Sequence, residues 1–328
     1  MSRIRTLAML AAFAAALPAA AQSPATNWPA APVTMLVPFA AGGPMDTIGR
    51  ILAPRLGELL GQQVVIENVG GAGGMTGTAR VAKAAPDGYQ FVLGNIGTHA
   101  QNQTLYKHPL YDAAGDFAPV VLIAETPLVL IARADFPADD LPAFIAHART
   151  HQAAMQFGSG GAGSATHIAC ALLNAAIGIN PTHIPYRGGA PAMQDLMGKR
   201  IDYLCLDTPL AMPQIESRTV KAIAILTRGR SPRLPGLASA HEQGLTDFEA
   251  SNWCGFFLPK GTPEPIVRRL HDAAAAAMDS VPVQEKLQQI GASVVAPDRR
   301  SPDYLRDFVA REIARWAAPI RASGVSMD

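Results

Sequence analysis

The sequence predicts an α/β fold divided into two lobes, and three observations support this prediction. Short apolar runs typical of β-strands alternate with segments whose apolar residues have helical spacing. This alternation occurs twice, and a long β-branched stretch at residues 118–132 separates the two occurrences. A second extended stretch, residues 248–258, lets the chain return to the first lobe. Alternating strands and helices predict a parallel sheet with helices on both faces.

The first lobe is expected to begin with a strand at residues 33–39 and a helix at residues 46–60. Pro54 should kink this helix because proline removes a backbone donor. Gly61 should end it, since glycine readily adopts the left-handed backbone of a helix C-terminus. A strand at 63–67, a helix at 77–84 and a strand at 89–93 follow.

The second lobe repeats the pattern, and the last part of the chain returns to the first lobe. Its predicted elements are strand 155–157, helix 165–177, strand 183–186, helix 190–197 and strands 201–206 and 220–226. The C-terminal part contains helices 265–278 and 303–322 and a short strand at 293–295. We therefore assign residues 22–124 and 251–328 to lobe 1 and residues 125–250 to lobe 2.

Residues 1–21 have the order of a secretory signal peptide. Arg3 and Arg5 supply a positive start, residues 7–17 form an uncharged apolar run, and three alanines at 19–21 supply a small-residue cleavage site. The apolar run is too short for a membrane span, which needs about 20 residues. We expect export to the periplasm with cleavage after Ala21.

The composition is that of a globular protein with a sizeable core. Hydrophobic residues make up 49% and charged residues 16%, which excludes a disordered chain and a coiled coil. Without Arg3 and Arg5 the chain has 25 basic and 26 acidic residues, a net charge of −1. No basic run stands out, so we expect no nucleic-acid partner. We also expect a monomer.

Two glycine-rich loops lead from a strand into a helix, one in each predicted lobe. Residues 38–46 read PFAAGGPMD, and residues 158–167 read GSGGAGSATH. A helix start presents unpaired N–H groups and a partial positive charge, and glycine lets a ligand approach them closely. Two such loops could hold a carboxylate from opposite sides without any Lys or Arg. The alternative is a pair of ordinary tight turns.

A third glycine cluster, residues 70–77, does not fit a dinucleotide-binding motif. Thr76 stands where a GxGxxG motif counted from Gly71 requires its last glycine. The chain also lacks a GxxxxGK[ST] phosphate loop. We therefore interpret the cluster as a flexible connector and expect no cofactor.

Motifs for catalysis and metal binding are missing as well. Ser159, Ser164, His167 and Asp207 match the residue types of a hydrolase triad, but neither serine lies in a GxSxG motif. The cysteine spacings fit no zinc motif. We therefore expect a non-catalytic protein without a metal.

The three cysteines, Cys170, Cys205 and Cys254, all lie in apolar contexts. An odd number in an exported protein leaves at least one unpaired. Free cysteine is among the most buried residue types, so three buried thiols are the default expectation. A disulfide between two of them stays open.

Longer motifs, in order along nearly the whole mature chain, resemble one family. They are VPFAAGGPMD, LGQQVVIENVGGAGG, KAAPDGYQFVLGNIGTHAQNQTLY, FGSGGAGSATH, HIPYRGGAPAMQDLMGKRID and DFEASNWCGFFLPKGTP. Together they are similar to the Bug family, the TctC-type extracytoplasmic solute-binding components of tripartite tricarboxylate transporters. The resemblance implies a type II periplasmic-binding-protein fold, in which two α/β lobes close around a ligand.

The resemblance also implies a small carboxylate as ligand, held mainly by backbone amides, and a two-component integral membrane permease as partner. The implied ligand-binding residues of lobe 1 are Phe39, Ala40, Ala41, Gly42, Gly43, Asp46, Thr98 and His99. Those of lobe 2 are Ser159, Gly160, Ser164, Ala165, Thr166, His167, Tyr186 and Asp207. Two other functions stay open: a receptor that reports to a membrane sensor without transport, and a hydrolase with this fold.

Overall fold

The computed structural model of the protein describes residues 27–246, 248–322 and 324–327. The predicted signal peptide and its cleavage site lie outside these residues. Among the helices so described, none combines the length and the apolar character needed to cross a membrane.

One mixed sheet of ten strands organises the described chain. The strands are β1 (Val33–Val37), β2 (Val64–Asn68), β3 (Gln90–Asn95), β4 (Phe117–Arg133), β5 (Gln156–Ser159), β6 (Thr182–Pro185), β7 (Tyr203–Asp207), β8 (Val220–Ile225), β9 (Ser251–Pro259) and β10 (Ser293–Val294). Their order is β2-β1-β3-β9-β4-β7-β5-β6, and β8 and β10 also pair with β4.

Helices connect these strands and pack against the sheet. They are α1 (Pro44–Leu60), α2 (Met75–Ala82), α3 (Asn102–Leu105), α4 (Leu141–His151), α5 (Ala165–Ile177), α6 (Gly189–Met197), α7 (Thr208–Glu216), α8 (Glu264–Asp279), α9 (Val281–Gln289) and α10 (Pro302–Ala322). The α5 bounds match the predicted helix, and the other predicted elements occur within a few residues of their expected bounds. The predicted elements do not include α3, α4, α7 or α9.

Local sequence signals explain the bounds of α1. It begins at Pro44, whose fixed φ and missing N–H suit the first helical position. It continues through Pro54 to Leu60 and ends at Gly61, which has a left-handed φ of 77°. The predicted stop at Gly61 is therefore confirmed.

The prediction of a parallel sheet is correct for β1–β3 in the first half of the sheet and for β5–β7 in the second half, and it is wrong for the pairs that involve β4 or β9. β1 pairs in parallel with β2 and β3, and β5 pairs in parallel with β6 and β7. β9 is antiparallel to β3 and β4, and β4 is antiparallel to β7 and β8. Each of these antiparallel pairs includes β9 or β4, the strands that lie between the two parallel groups in the order of the sheet.

β4 is a single strand of 17 residues that belongs to both halves. Its first part pairs with β9 as far as Pro127 opposite Ser251, and from Leu128 onward it pairs with β7. Pro127 does not interrupt the strand, although it cannot donate a ladder hydrogen bond. The neighbours of β4 therefore change at residues 127–128.

Separate groups of buried side chains stabilise the two halves. In the first, Phe91 and Phe256 are fully buried and pack edge to face, with ring centroids 4.9 Å apart. In the second, Phe144 and Tyr203 pack in the same manner at 5.1 Å. Burial of each such side chain contributes about 1.5–3 kcal/mol, so both halves have a core of their own.

A disulfide joins Cys170 in α5 to Cys205 in β7, with Cα atoms 5.4 Å apart. Cys254 in β9 is a buried free thiol. The default expectation of three free thiols is therefore wrong for this pair, and the alternative left open above is the correct one. The sequence could not select the pair because α5 and β7 come together only in the folded chain.

Candidate functional site

A narrow cavity lies between the two halves of the sheet. It is lined by Phe39, Pro44, Met45, Asn95, Gly160, Ser164, Ala165, Thr166, Gly189, Leu206, Asp207 and Asn252. The space between the lining residues is about 330 Å³, and it includes some open solvent. A slot of this kind suits a small molecule that is enclosed on most sides.

Three helices begin at this cavity. α1 starts at Pro44, α5 at Ala165 and α6 at Gly189, and all three residues line it. First-turn amides of a helix have no carbonyl partner within the helix and carry partial positive charge. No described residue that lines the cavity is Lys, Arg or His. Positive potential for an anion therefore comes from backbone N–H groups.

Asp46 organises the first glycine loop and does not line the cavity. Its buried Oδ2 accepts hydrogen bonds from Gly42 N and Arg50 Nε, both at 2.8 Å, and its Oδ1 accepts one from Asn68 Nδ2 at 3.0 Å. Burial raises the pKa of Asp46, but these hydrogen bonds outweigh it and keep the pKa below the usual value. The N–H of Gly42 is therefore used inside the loop, and Ala41 beside it is exposed.

Ala40 connects the first loop to the other half of the sheet. Its N–H donates to Arg187 O at 3.0 Å, and its carbonyl accepts from Gly43 N at 3.3 Å. Gly188 has a φ of 154°, and a Cβ there would lie 3.0 Å from Ala40 N. This close backbone contact brings Gly189, the start of α6, to the cavity.

The second glycine loop brings four of the predicted residues to the cavity. Ser164 caps α5, because its Oγ accepts a hydrogen bond from His167 N at 3.2 Å. Thr166 Oγ1 accepts one from Gly160 N at 2.8 Å and lies 3.0 Å from Ser164 Oγ. Ser164, Thr166, Gly160 and Ala165 therefore form one hydrogen-bonded wall of the cavity.

Asp207 and Asn252 form a buried polar pair at the cavity. Asp207 Oδ1 accepts hydrogen bonds from Asn252 Nδ2 at 2.6 Å and from Thr126 Oγ1 at 3.0 Å. Burial raises the pKa of Asp207, and the two hydrogen bonds oppose that shift only in part. Asn252 is 2% exposed, and its Oδ1 has no hydrogen-bond partner in the described part of the chain.

Thr98 and His99 lie behind the cavity wall. Thr98 Oγ1 accepts a hydrogen bond from Asn95 N at 2.9 Å, and Asn95 Oδ1 accepts one from Thr98 N at 3.1 Å. This exchange orients Asn95, which does line the cavity. His99 is fully buried and stacks on Phe257, with ring centroids 3.7 Å apart. Burial lowers the pKa of His99 to about 3, which keeps it neutral.

Ser159, His167 and Tyr186 also lie outside the cavity lining. Ser159 Oγ is 2.7 Å from His183 Nε2, and the rings of His167 and His183 stack with centroids 4.0 Å apart. Tyr186 donates its hydroxyl hydrogen bond to Asp195 Oδ2 at 2.7 Å. These side chains hold the second half of the sheet together around the cavity.

The four residues that match a hydrolase triad do not assemble into one. Asp207 accepts its hydrogen bonds from Thr126 and Asn252 rather than from a histidine. Ser164 Oγ accepts from the backbone N–H of His167, as a helix cap does. No serine, histidine and carboxylate within the described residues thus have the triad geometry around this cavity.

In the third glycine cluster, residues 70–77, the backbone of the first half of the sheet packs against a loop of the second half. The cluster contains a short 3₁₀ helix, Ala72–Gly74, that leads into α2. Gly73 has a φ of 60°, and a Cβ there would lie 2.4 Å from Ala162 O. The Tyr106 hydroxyl donates to the same carbonyl at 3.1 Å. The interpretation as a flexible connector is therefore wrong, because these glycines form a packed contact.

Several cavity residues are absent from the predicted set. They are Pro44, Met45, Asn95, Gly189, Leu206 and Asn252. All of them except Leu206 lie inside the quoted motifs, in VPFAAGGPMD, GNIGTHA, YRGGAPAM and ASNWCGFF. The motifs could have indicated them, but sequence alone does not say that β9 reaches the cavity.

The chain resembles one family of receptors along most of its length. Residues 48–325 match the model of TctC, the tripartite tricarboxylate transporter family receptor. A curated protein of Agrobacterium vitis, the UPF0065 protein in the TAR-I ttuE-ttuC' intergenic region, is 39% identical over 298 residues. That match covers 91% of this chain and 86% of the relative.

Solved structures agree with this result. The periplasmic binding protein BugD has a TM-score of 0.89 and 38% identity, over 92% of this chain and 100% of its own. MatC from Rhodopseudomonas palustris, solved with bound malate, has a TM-score of 0.87 and 39% identity, over 89% and 100% of the two chains. The predicted α/β periplasmic-binding-protein fold is confirmed, and the chain belongs to the TctC family of tripartite tricarboxylate transporter receptors.

Proposed function

We propose that this protein captures a small carboxylate in the periplasm and delivers it to a membrane permease. The observation that carries this proposal is the convergence of three helix starts on one cavity that no cationic side chain lines among the described residues. Membership of a solute-binding receptor family supports the role. The malate bound to MatC supports a carboxylate as the class of ligand.

The energies are of the right size for a transport receptor. A hydrogen bond to a charged group contributes ~1.5–3 kcal/mol net, and a partly buried helix start adds up to about 2 kcal/mol. Three or four such contacts supply much of the ~8 kcal/mol that micromolar affinity requires. The cost of ordering the ligand and the protein is subtracted from this sum.

The proposed binding involves closure of two lobes, residues 22–124 with 251–328 and residues 125–250. The change of β4 partners after Pro127, opposite Ser251 of β9, supports a hinge at the two crossings. The proposed permease is an integral membrane protein of two components. Export through the signal peptide, with cleavage after Ala21, is part of the same proposal, and the intact mass of the secreted protein tests it.

A thermal-shift screen of the mature protein against carboxylic acids tests the function, followed by titration calorimetry of each hit. At 100 times the dissociation constant, a true ligand should stabilise the fold by about 2.7 kcal/mol. Methyl esters of the hits serve as matched controls and should not bind, because they lack the anion. Binding of the esters with equal affinity, or conversion of an acid into product, would contradict the proposal.

A further inference from the structure

We infer that the ligand carries a hydrogen-bond donor, an amino or hydroxyl group, in addition to its carboxylate, and that Asp207 and Asn252 recognise this donor. The inference rests on the proposed function, because it specifies the ligand class of the same cavity.

The first observation is that Asp207 and Asn252 place oxygen acceptors on one side of the cavity. Asp207 and Asn252 both line it and are 3% and 2% exposed. Asp207 Oδ1 accepts two hydrogen bonds from the protein, from Asn252 and from Thr126. Asn252 Oδ1 is buried and has no partner among the described residues. A buried acceptor of this kind requires a donor, and nothing in the described protein supplies it.

The second observation fixes which atom of Asn252 is the oxygen. Its other terminal atom lies 2.6 Å from Asp207 Oδ1, the distance of a hydrogen bond to a carboxylate. Only the NH₂ group can donate there, since a carboxylate is an acceptor. Asn252 Oδ1 is therefore the end of the side chain that is left without a donor.

One side of the cavity thus favours a carboxylate, and the other side favours a hydrogen-bond donor. The first turns of α1, α5 and α6 offer backbone N–H donors for a carboxylate, although Pro44 itself has none. Asp207 and Asn252 offer acceptors, so a second carboxylate placed there would face oxygen atoms and a buried acid. A hydroxyl or ammonium group would donate to Asn252 Oδ1 and to the Asp207 carboxylate. An unpaired polar group in such a site discriminates strongly against analogues that lack its partner.

Matched acids of equal length test the inference by titration calorimetry. The probes are succinate, malate and aspartate for four carbons, and glutarate, 2-hydroxyglutarate and glutamate for five. The donor-bearing acid of at least one length should bind at least tenfold more tightly than the plain diacid of that length. Comparison of the hydroxy and amino acids then identifies the donor.

Two variants test whether Asp207 and Asn252 are the residues that recognise the donor of the ligand. Asp207→Asn and Asn252→Leu should each reduce that preference to less than threefold while the plain diacid still binds. Asp202→Asn is the matched control, since Asp202 accepts from Arg133 and Gln156 outside the cavity, and it should keep the preference. If plain diacids bind as tightly as donor-bearing ones at both lengths, or if both cavity variants keep the preference, the inference is overturned and the proposed function stands. If carboxylic acids bind in no case, the proposed function fails and the inference fails with it.

Discussion

At the scale of single residues, the predicted site divides into side chains that line the cavity and side chains that shape its wall. Asp46 shapes the wall, because it accepts hydrogen bonds from Gly42, Arg50 and Asn68. The exposed Arg187 contributes its carbonyl, which accepts from Ala40. Neither side chain lines the cavity, but only that of Asp46 holds several groups in place.

Asp46→Ala should therefore weaken ligand binding at least tenfold, whereas Arg187→Gln should weaken it less than tenfold. The first change leaves the Gly42 amide and the Asn68 side chain without their acceptor, and the start of α1 loses its support. The second change leaves the contact between Arg187 O and Ala40 N intact. Calorimetry on both folded variants is the measurement. Loss of binding in Arg187→Gln with full binding in Asp46→Ala would point to a cationic clamp instead.

His99 should make the fold less stable in mild acid. Its pKa is about 3 in the fold, against an ordinary value of 6.5. Between these values the unfolded chain binds a proton that the folded chain does not, so stability falls as pH decreases below 6.5. His99→Leu should reduce the loss of unfolding free energy between pH 7.5 and 5 by about 2 kcal/mol. Urea titrations at both pH values measure it.

The control for this prediction is His108→Gln, because His108 lies in an exposed segment. That variant should keep the wild-type dependence of stability on pH. An unchanged dependence in His99→Leu would show that the buried imidazole does not titrate as described.

At the scale of elements, the disulfide ties together two segments that end at the cavity. Cys170 lies in α5, which begins at Ala165, and Cys205 lies in β7, which ends at Asp207. The covalent bond therefore limits how far the helix start and the buried acid can separate. Closing a loop of 35 residues also restricts the unfolded chain.

The double variant with Cys170→Ala and Cys205→Ala should lose about 2–4 kcal/mol of unfolding free energy. Urea unfolding with and without a thiol reductant measures this, and the reductant should have little effect on the variant. Denatured, unreduced wild-type protein should expose one reactive thiol, that of Cys254. Three reactive thiols under those conditions would show that the bond is absent in solution.

At the scale of the whole molecule, the two halves meet through glycine backbone. Gly73 approaches Ala162 in the second loop, and Gly188 approaches Ala40 in the first. A Cβ at Gly73 would lie 2.4 Å from Ala162 O, and one at Gly188 would lie 3.0 Å from Ala40 N. Closure of the lobes on a ligand is therefore expected to depend on these glycines.

Gly73→Ala should weaken ligand binding at least tenfold, because its Cβ would collide with Ala162 O. Gly61→Ala is the matched control. It also places alanine at a left-handed φ, but nothing lies within 4 Å of the new Cβ. The control should cost about 1–2 kcal/mol of stability and keep its affinity.

Small-angle scattering adds a direct readout of closure. The wild-type protein and Gly61→Ala should show a smaller radius of gyration at saturating ligand, and Gly73→Ala should not. Equal affinity and equal compaction in all three proteins would mean that this contact does not take part in closure.

The sequence by itself determined the features that depend on neighbouring residues. The helix at residues 165–177 follows from the sequence pattern, and the structure has the same bounds, with Ser164 as N-cap and Gly178 as C-cap. Gly61 ends α1 for a similar local reason. The two glycine loops that lead into helices could also be identified from the sequence. The family could be identified too, because its motifs run along most of the chain.

Only the tertiary structure decided which distant residues meet. Asp207 contacts Asn252 across 45 residues and Thr126 across 81, and α5 meets β7 at the disulfide. The antiparallel pairing of β4 with β9 and the packing of Gly73 belong to the same class. Hydrophobic periodicity reports which face of an element is buried but not which partner covers it. These contacts depend on how the elements pack, so they appear only when the whole chain has folded.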